Sequence, residues 1–337
     1  QYCERLTDTN AMIQFAKGVE PDTSSGYTVD DNARALVVAT VHYEKTRDKS
    51  TLSLVRRYGA FLASAQKSDG SFINYINKDK RPTRQNREEN TEDASGRAIW
   101  GLGVVVASEH IPLDIRHRAE VLLRKALPVV TRNASIRTTA FALLGIATVA
   151  HARHGGRYVA IVRRLADSIV ERYIANASFD WQWFEPALTY ANGIIPHALI
   201  VAYRVVHNDH YRNIAKKTID FLIKKTLFDT FYMPIGNKGW CTRDGRCSRF
   251  DQQPEDPSAM TMALLALYKT TQEEQYRMYA LRTFSWFLGE NVLKQPMYDT
   301  ASGGCHDGLS PTTVNANEGA ESTISYLLAR LMIEPYV

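Results

Sequence analysis

Five stretches of this sequence gather carboxylates in pairs, and paired carboxylates are the commonest equipment for acid/base chemistry. Asp30 and Asp31 sit in GYTVDDNARAL, Glu92 and Asp93 in NTEDASGRAIWGLG, Glu255 and Asp256 in DQQPEDPSAM, and Glu318 and Glu321 in NEGAESTISYLLARL. The fifth stretch, FDWQWFEPALTYANGIIPHAL, carries Asp180 and Glu185 among Trp181, Trp183, Phe184 and Tyr190. When one carboxyl of a pair is protonated and the other ionised, the first gives a proton to a leaving oxygen while the second activates water or attacks directly. Flat aromatic faces beside such acids suit the C–H face of a sugar ring.

Each pair has a plainer explanation that must be weighed. An Asp at a helix start is a preferred cap, and acids in the first turn are favoured by the helix dipole by roughly 0.3–1 kcal/mol. Capping accounts for one acid at each start but not for doubled acids at several, because the second adds repulsion unless a cation or donor compensates it. Arg34 and Arg97 lie three and four residues inside two of these helices, where they orient or neutralise the acids. Glu185 is harder to read as a cap, since seven residues separate it from the next apolar segment. The expected acid/base pair is Asp93 and Glu185, with Asp31 and Asp256 next. Asp30, Glu92, Arg97, Trp181, Trp183, Tyr190, Trp240, His306 and Glu321 are expected to contact substrate.

The elements that would position these residues are helices of two kinds. Asp31–Tyr43, Asp93–Ala107, Ser135–Ala150, Gly193–Val206, Pro257–Tyr268 and Glu318–Leu331 are small and apolar nearly all round, which marks buried helices. Asn10–Lys17, Leu52–Gln66, Leu113–Leu127, Tyr158–Tyr173, Tyr211–Lys225 and Glu273–Leu288 carry charges at helical spacing and read as amphipathic. Strand-like alternation is confined to Ser71–Tyr75 and Thr230–Met233. Six buried helices alternating with six amphipathic ones predict an all-α fold, an (α/α)6 toroid with six inner and six outer helices in one domain over residues 1–337. Connections leading into the buried helices are mostly long and those leaving them short. That asymmetry puts the long loops on one face, at the N-termini of the inner helices, where function is expected.

Composition excludes several other classes. Apolar residues make up 45% of the 337-residue chain and charged residues 23%, an ordinary globular balance. The net charge of +5 is spread among acids, which argues against a nucleic-acid surface. No apolar run approaches the roughly 18 residues that would insert in a membrane. The four cysteines match no zinc pattern, and Cys241 and Cys247 either bridge a loop or remain free thiols. No cofactor motif is present: there is no phosphate-binding glycine loop after a strand, no HExxH and no serine elbow. No metal ligand set is assigned, although carboxylate-rich sites can hold calcium. Of the histidines, His306 in SGGCHDGL is on the loop side, His197 reads as a core residue, and His42, His110, His117, His151, His154 and His210 as surface or helix-end positions. Asn133-Ala-Ser and Asn176-Ala-Ser fit the glycosylation pattern, a short match that arises often by chance. The first residue is Gln, so the native N-terminus is expected to have been processed or trimmed, and the compartment stays open between periplasmic or secreted and cytoplasmic.

The runs RLTDTNAMIQFAKGVEPDTSSGYTVDDNARALVVA, EDASGRAIWGLG, DWQWFEPALTYANGIIPHALI, GNKGW, FDQQPEDPSAM, SGGCHDGL and NEGAESTISYLLARL resemble a family of bacterial glycosidase-like (α/α)6 domains. Members occur alone or fused behind group 1 glycosyltransferase domains, and the similarity runs from Arg5 to about Leu331. The resemblance implies a carbohydrate-active toroid, with an oligosaccharide or cell-envelope glycan as substrate and a glycosyltransferase as a partner. One departure stands out: Glu255-Asp256 follows Gln-Gln-Pro where the family has an apolar residue followed by Glu, which leaves Asp256 in the Glu role with a shorter reach. Glycoside hydrolysis is the leading expectation. A sugar epimerase or isomerase of the same fold and a non-catalytic glycan-binding domain are the alternatives.

Overall fold

The computed structural model describes residues 1–131, 135–153 and 156–337. Its elements run α1 (Tyr2–Arg5), β1 (Ala16–Lys17), β2 (Glu20–Pro21), β3 (Tyr27–Thr28), α2 (Val29–Thr46), α3 (Lys49–Ala65), β4 (Tyr75–Ile76), α4 (Gln85–Glu88), α5 (Glu92–Ala107), α6 (Leu113–Val130), α7 (Ile136–Arg153) and α8 (Gly156–Asn176). They continue with β5 (Ala187–Leu188), α9 (Ile194–Val206), α10 (Asp209–Thr226), β6 (Cys241–Thr242), α11 (Glu255–Thr271), α12 (Glu274–Phe284), β7 (Gly308–Leu309), β8 (Val314–Asn315) and α13 (Ala320–Ile333). The chain divides into two compact units, Gln1–Leu165 and Ala166–Val337, and the division falls inside α8. Among the described residues no helix is long and apolar enough to cross a membrane.

In the first unit, α5 packs against both α2 and α7, while the amphipathic α3 and α6 cover α2 and α5. The three apolar helices are rich in Gly and Ala because their backbones nearly touch. A methyl group added at Gly103 would collide with the backbone of Gly145, a close approach that only glycine permits. In the second unit α11 packs against α9, α12 and α13, and α10 covers α9. Here Gly193, just ahead of α9, lies against the backbone of Ala259.

The long connections are tied together within each unit by short ladders. In the first, β3 pairs with β4, joining the loop before α2 to the loop before α5. In the second, β5 pairs with β6, and Gln252 pairs with Leu309, so the loops before α9, α11 and α13 are linked in turn. The strand-like stretches of the sequence contribute β4 and isolated bridges, Gln66 with Phe72 and Leu227 with Tyr232. Each is too short to compete with the helices.

One predicted helix is absent. Asn10–Lys17 forms a turn and the start of the β1–β2 hairpin. Asp8 Oδ1 accepts the N–H groups of Asn10 and Ala11, an Asx turn that competes with helix formation. Asn32 on α2 then takes the Met12 N–H and donates to its carbonyl, satisfying in the core what a helix would satisfy itself. Ala11, Met12 and Ile13 are still buried, so the apolar signal was sound and only its period misled. Asn133 and His154 lie outside the described residues.

Candidate functional site

In the first unit, the starts of α2, α5 and α7 each bring polar side chains to the loop end. Thr28 caps α2: its Oγ1 accepts the Asp31 N–H at 3.0 Å and donates to Asp31 Oδ2 at 2.6 Å. Arg34, one turn further along, donates to Asp31 Oδ1 at 3.0 Å. Asp31 is thus buried and oriented from both sides by Thr28 and Arg34. Asp30 points elsewhere. Its Oδ2 receives Arg97 from α5 at 2.7 Å and its Oδ1 lies 3.3 Å from Arg34. Asn74, in the loop before α5, accepts the Asp30 N–H at 3.0 Å. Arg97 also lies over the Phe141 ring at 4.5 Å, a cation–π contact that fixes the guanidinium plane.

Asp93 is half-buried and held differently. Its Oδ1 takes two hydroxyls from the start of α7, Ser135 at 2.9 Å and Thr138 at 2.7 Å. Glu92 is exposed and accepts the Ser135 N–H at 3.2 Å. Two residues that the sequence did not single out belong to the same end. Tyr75 donates to Glu89 at 2.5 Å, and its phenol is pushed up by burial, by that hydrogen bond and by the charges of Glu89, Asp30 and Asp31.

In the second unit, Asn192 engages the acid at the start of α11. Asp256 is buried, and its Oδ1 receives the backbone and side-chain N–H groups of Asn192, each at 3.3 Å. Tyr232 is buried near it, and burial followed by the Asp256 charge pushes the Tyr232 hydroxyl well above its usual range. Glu185 is half-buried in the loop before β5, and its carbonyl accepts the Trp181 indole N–H at 2.7 Å. The β5–β6 pairing draws Tyr190 and Trp240 together, with ring centroids 6.3 Å apart and both rings partly exposed. Cys241, next to Trp240, forms a disulfide with Cys247.

Trp181 and Trp183 are not part of that aromatic surface. They are 2% and 0% exposed and pack against Phe221 and Phe184. Neither presents a face on which a sugar could stack, which corrects the expectation that they contact substrate. Their place beside Glu185 in sequence carries no information about which side of the loop they occupy.

The loop before α13 completes this end. Glu318 is 0% exposed, accepts Ser302 Oγ at 2.7 Å, and has the half-buried His306 Nδ1 3.6 Å away. Asp307 caps α13 by accepting the Gly319 N–H at 2.8 Å and Ser322 Oγ at 2.7 Å. Burial pushes the Asp307 carboxyl up, and the charges of Glu321 and Glu318 push it further. Asp307 was quoted within SGGCHDGL but missed as a candidate. The signal was the third acid adjoining the Glu318/Glu321 pair, hidden by ten intervening residues. His197 is half-buried on α9, its Nδ1 is buried without a hydrogen-bond partner among the described residues, and desolvation pushes its imidazole down to about 4. Among the described residues no group of three or more His, Cys, Asp or Glu is arranged to hold a metal ion.

No protein-family model matches the chain, and no curated protein matches it by sequence. Among solved structures it is similar to a D-mannose isomerase, with a TM-score of 0.76 at 13% identity over 99% of this chain and 93% of the other. It is similar to a cellobiose 2-epimerase from Bacillus thermoamylovorans, with a TM-score of 0.76 at 12% identity over 99% and 94%. A GH76 α-mannanase from Bacteroides thetaiotaomicron gives a TM-score of 0.62 at 13% identity over 92% and 86%. These likenesses show the fold: the chain is an all-α (α/α)6 toroid.

Proposed function

We propose that this protein is a glycoside hydrolase that cleaves an oligosaccharide or cell-envelope glycan by carboxylate acid/base catalysis. The observation that carries the reading is in the second unit, where a half-buried carboxylate, Glu185, shares a hydrogen-bonded loop pair with the partly exposed rings of Tyr190 and Trp240. An acid in a partly desolvated position next to an aromatic platform is the equipment for protonating a glycosidic oxygen. In the first unit, taken by itself, Asp93, whose Oδ1 is fixed by two hydroxyls, is the carboxylate of choice. Asp31 and Asp256 rank lower because both are buried, where Asp93 and Glu185 are half-buried. The fold likeness to an α-mannanase supports the class of reaction. Membership of the glycosidase-like family found behind glycosyltransferase domains, and a glycosyltransferase partner, rest on the motif resemblance.

A second reading is favoured by one feature. His306 beside the buried Glu318 is an imidazole paired with a carboxylate, a device that suits proton transfer at carbon in a sugar epimerase or isomerase, and the fold likeness includes such enzymes. The two readings separate on products. A panel of oligosaccharides is incubated with wild type and the Glu185→Gln variant, and anomeric protons are followed by NMR. Hydrolysis creates new reducing ends, and the variant is expected to lose about 10²–10⁴-fold in rate. Epimerisation changes the sugar without shortening it. Binding without any turnover in either protein points to a glycan-binding domain.

A further inference from the structure

One buried amide ties the aromatic surface of the second unit to the start of α11. We infer that Asn192 is a positioning residue: it closes the turn Thr189–Asn192, latches that turn to Asp256, and so holds the Tyr190 ring beside Trp240. The consequence for sugar binding rests on the glycan reading above, in which those two rings receive the substrate.

The Asn192 side chain is buried and works in both directions. Its Oδ1 accepts the Thr189 N–H at 3.1 Å, and its Nδ2 donates to the Thr189 carbonyl at 2.6 Å. The amide therefore spans the turn that carries Tyr190 and satisfies the backbone polar groups at its entrance. The same Nδ2 and the Asn192 backbone N–H each reach Asp256 Oδ1 at 3.3 Å. One residue on, Gly193 lies so close to Ala259 that an added Cβ would come within 2.5 Å of its backbone. Asp256 and Ala259 are i, i+3 neighbours on α11. The turn is thus docked at two points on one face of that helix.

The other flank of Tyr190 is anchored as well. Leu188 pairs with Cys241 in the β5–β6 ladder, next to Trp240. Between the two anchors the backbone is not relaxed: Ala191 is buried with φ at +48°, and Trp240 has φ at +57°. Left-handed backbone at an alanine or a tryptophan is sparsely populated and persists only where surrounding contacts impose it. Asn192 supplies such contacts immediately beside Ala191. Without its amide the turn opens, and the Tyr190 ring leaves its place 6.3 Å from the Trp240 ring.

Fluorescence tests this directly, because Trp240 is the one tryptophan of five that is not buried, the others being 5% exposed or less. Acrylamide quenching therefore reads Trp240. In Asn192→Ala the quenching is expected to rise as Tyr190 moves off the indole. The affinity for mannotetraose and cellotetraose, titrated on the same samples, is expected to fall about tenfold. Asp256→Asn keeps a carbonyl oxygen for both Asn192 donors, so its quenching is expected to match wild type. Asp256→Ala removes that acceptor and is expected to quench as Asn192→Ala does. Melting curves set a temperature at which the variants are folded; should Asp256→Ala not fold, Asn192→Ala and Asp256→Asn carry the comparison. A lowered melting temperature for Asn192→Ala with quenching unchanged would mean that the amide supports the fold alone, and would overturn the inference. Quenching raised as much in Asp256→Asn as in Asn192→Ala would overturn the latch through the Asp256 oxygen. If quenching follows the expected pattern and wild type binds neither tetraose, the glycan reading fails and the positioning of Tyr190 stands.

Discussion

Carboxylates gather at helix starts in both units, yet Asp30 and Asp31 in the first are held by different physics from Asp307 in the second. In the first, Asp30 and Asp31 are clamped by the guanidinium groups of Arg34 and Arg97. In the second, Asp307 accepts a backbone N–H and a serine hydroxyl, while Asn192 donates to Asp256 and Ser302 to Glu318. An ion pair keeps a carboxylate ionised and fixed in place. Neutral donors satisfy the oxygens while leaving burial and neighbouring charge free to raise the pKa, as they do at Asp307. The first arrangement suits orientation and the second suits proton exchange. That contrast can be broken by substitution.

The largest effect is expected from Arg34→Ala. Arg34 is 2% exposed and its loss removes a guanidinium 3.0 Å from the buried Asp31 and 3.3 Å from Asp30, so unfolding in urea should show a loss of about 3–5 kcal/mol. A loss below about 1 kcal/mol would mean that Asp31 is held without help from Arg34, and the contrast would collapse. Ser302→Ala is the matching change in the second unit. It deprives the fully buried Glu318 of a donor at 2.7 Å, and a cost of about 1–3 kcal/mol is expected in the same assay. If it proves as costly as Arg34→Ala, neutral donors and ion pairs are doing equivalent jobs at the two ends.

Much of this was legible in the sequence, for identifiable reasons. The apolar helices announce themselves because helices whose backbones nearly touch must be made of small residues, as Gly103 against Gly145 shows. The acids at their starts are visible because the first turn is a local feature. What a local reading cannot see is partnership across long separations. Ser135 on Asp93 and Asn192 on Asp256 join residues 42 and 64 positions apart, and Tyr75 on Glu89 depends on how one loop folds back. The two clear errors share a cause. Asn10–Lys17 is apolar enough to be buried, and Trp181 and Trp183 sit among acids, but burial and neighbourhood in sequence fix neither backbone period nor the face a side chain occupies.

The smallest and most discriminating change is Asp307→Asn. Because the folded state raises the Asp307 carboxyl above its unfolded value, the native protein holds that proton longer than the unfolded chain does. By linkage, this group favours folding at low pH, and the benefit is lost as pH rises from about 4 through the raised value. Asparagine keeps a carbonyl oxygen for the Gly319 N–H and Ser322 hydroxyl but cannot ionise against Glu318 and Glu321. The variant should therefore match wild type at the acid end and be the more stable of the two at neutral pH. Urea unfolding from pH 4 to 7 measures the difference between the two curves. Parallel curves would show that Asp307 is ionised as easily in the folded protein as in the unfolded one. The second unit would then hold its acids no more loosely, in the electrostatic sense, than the first.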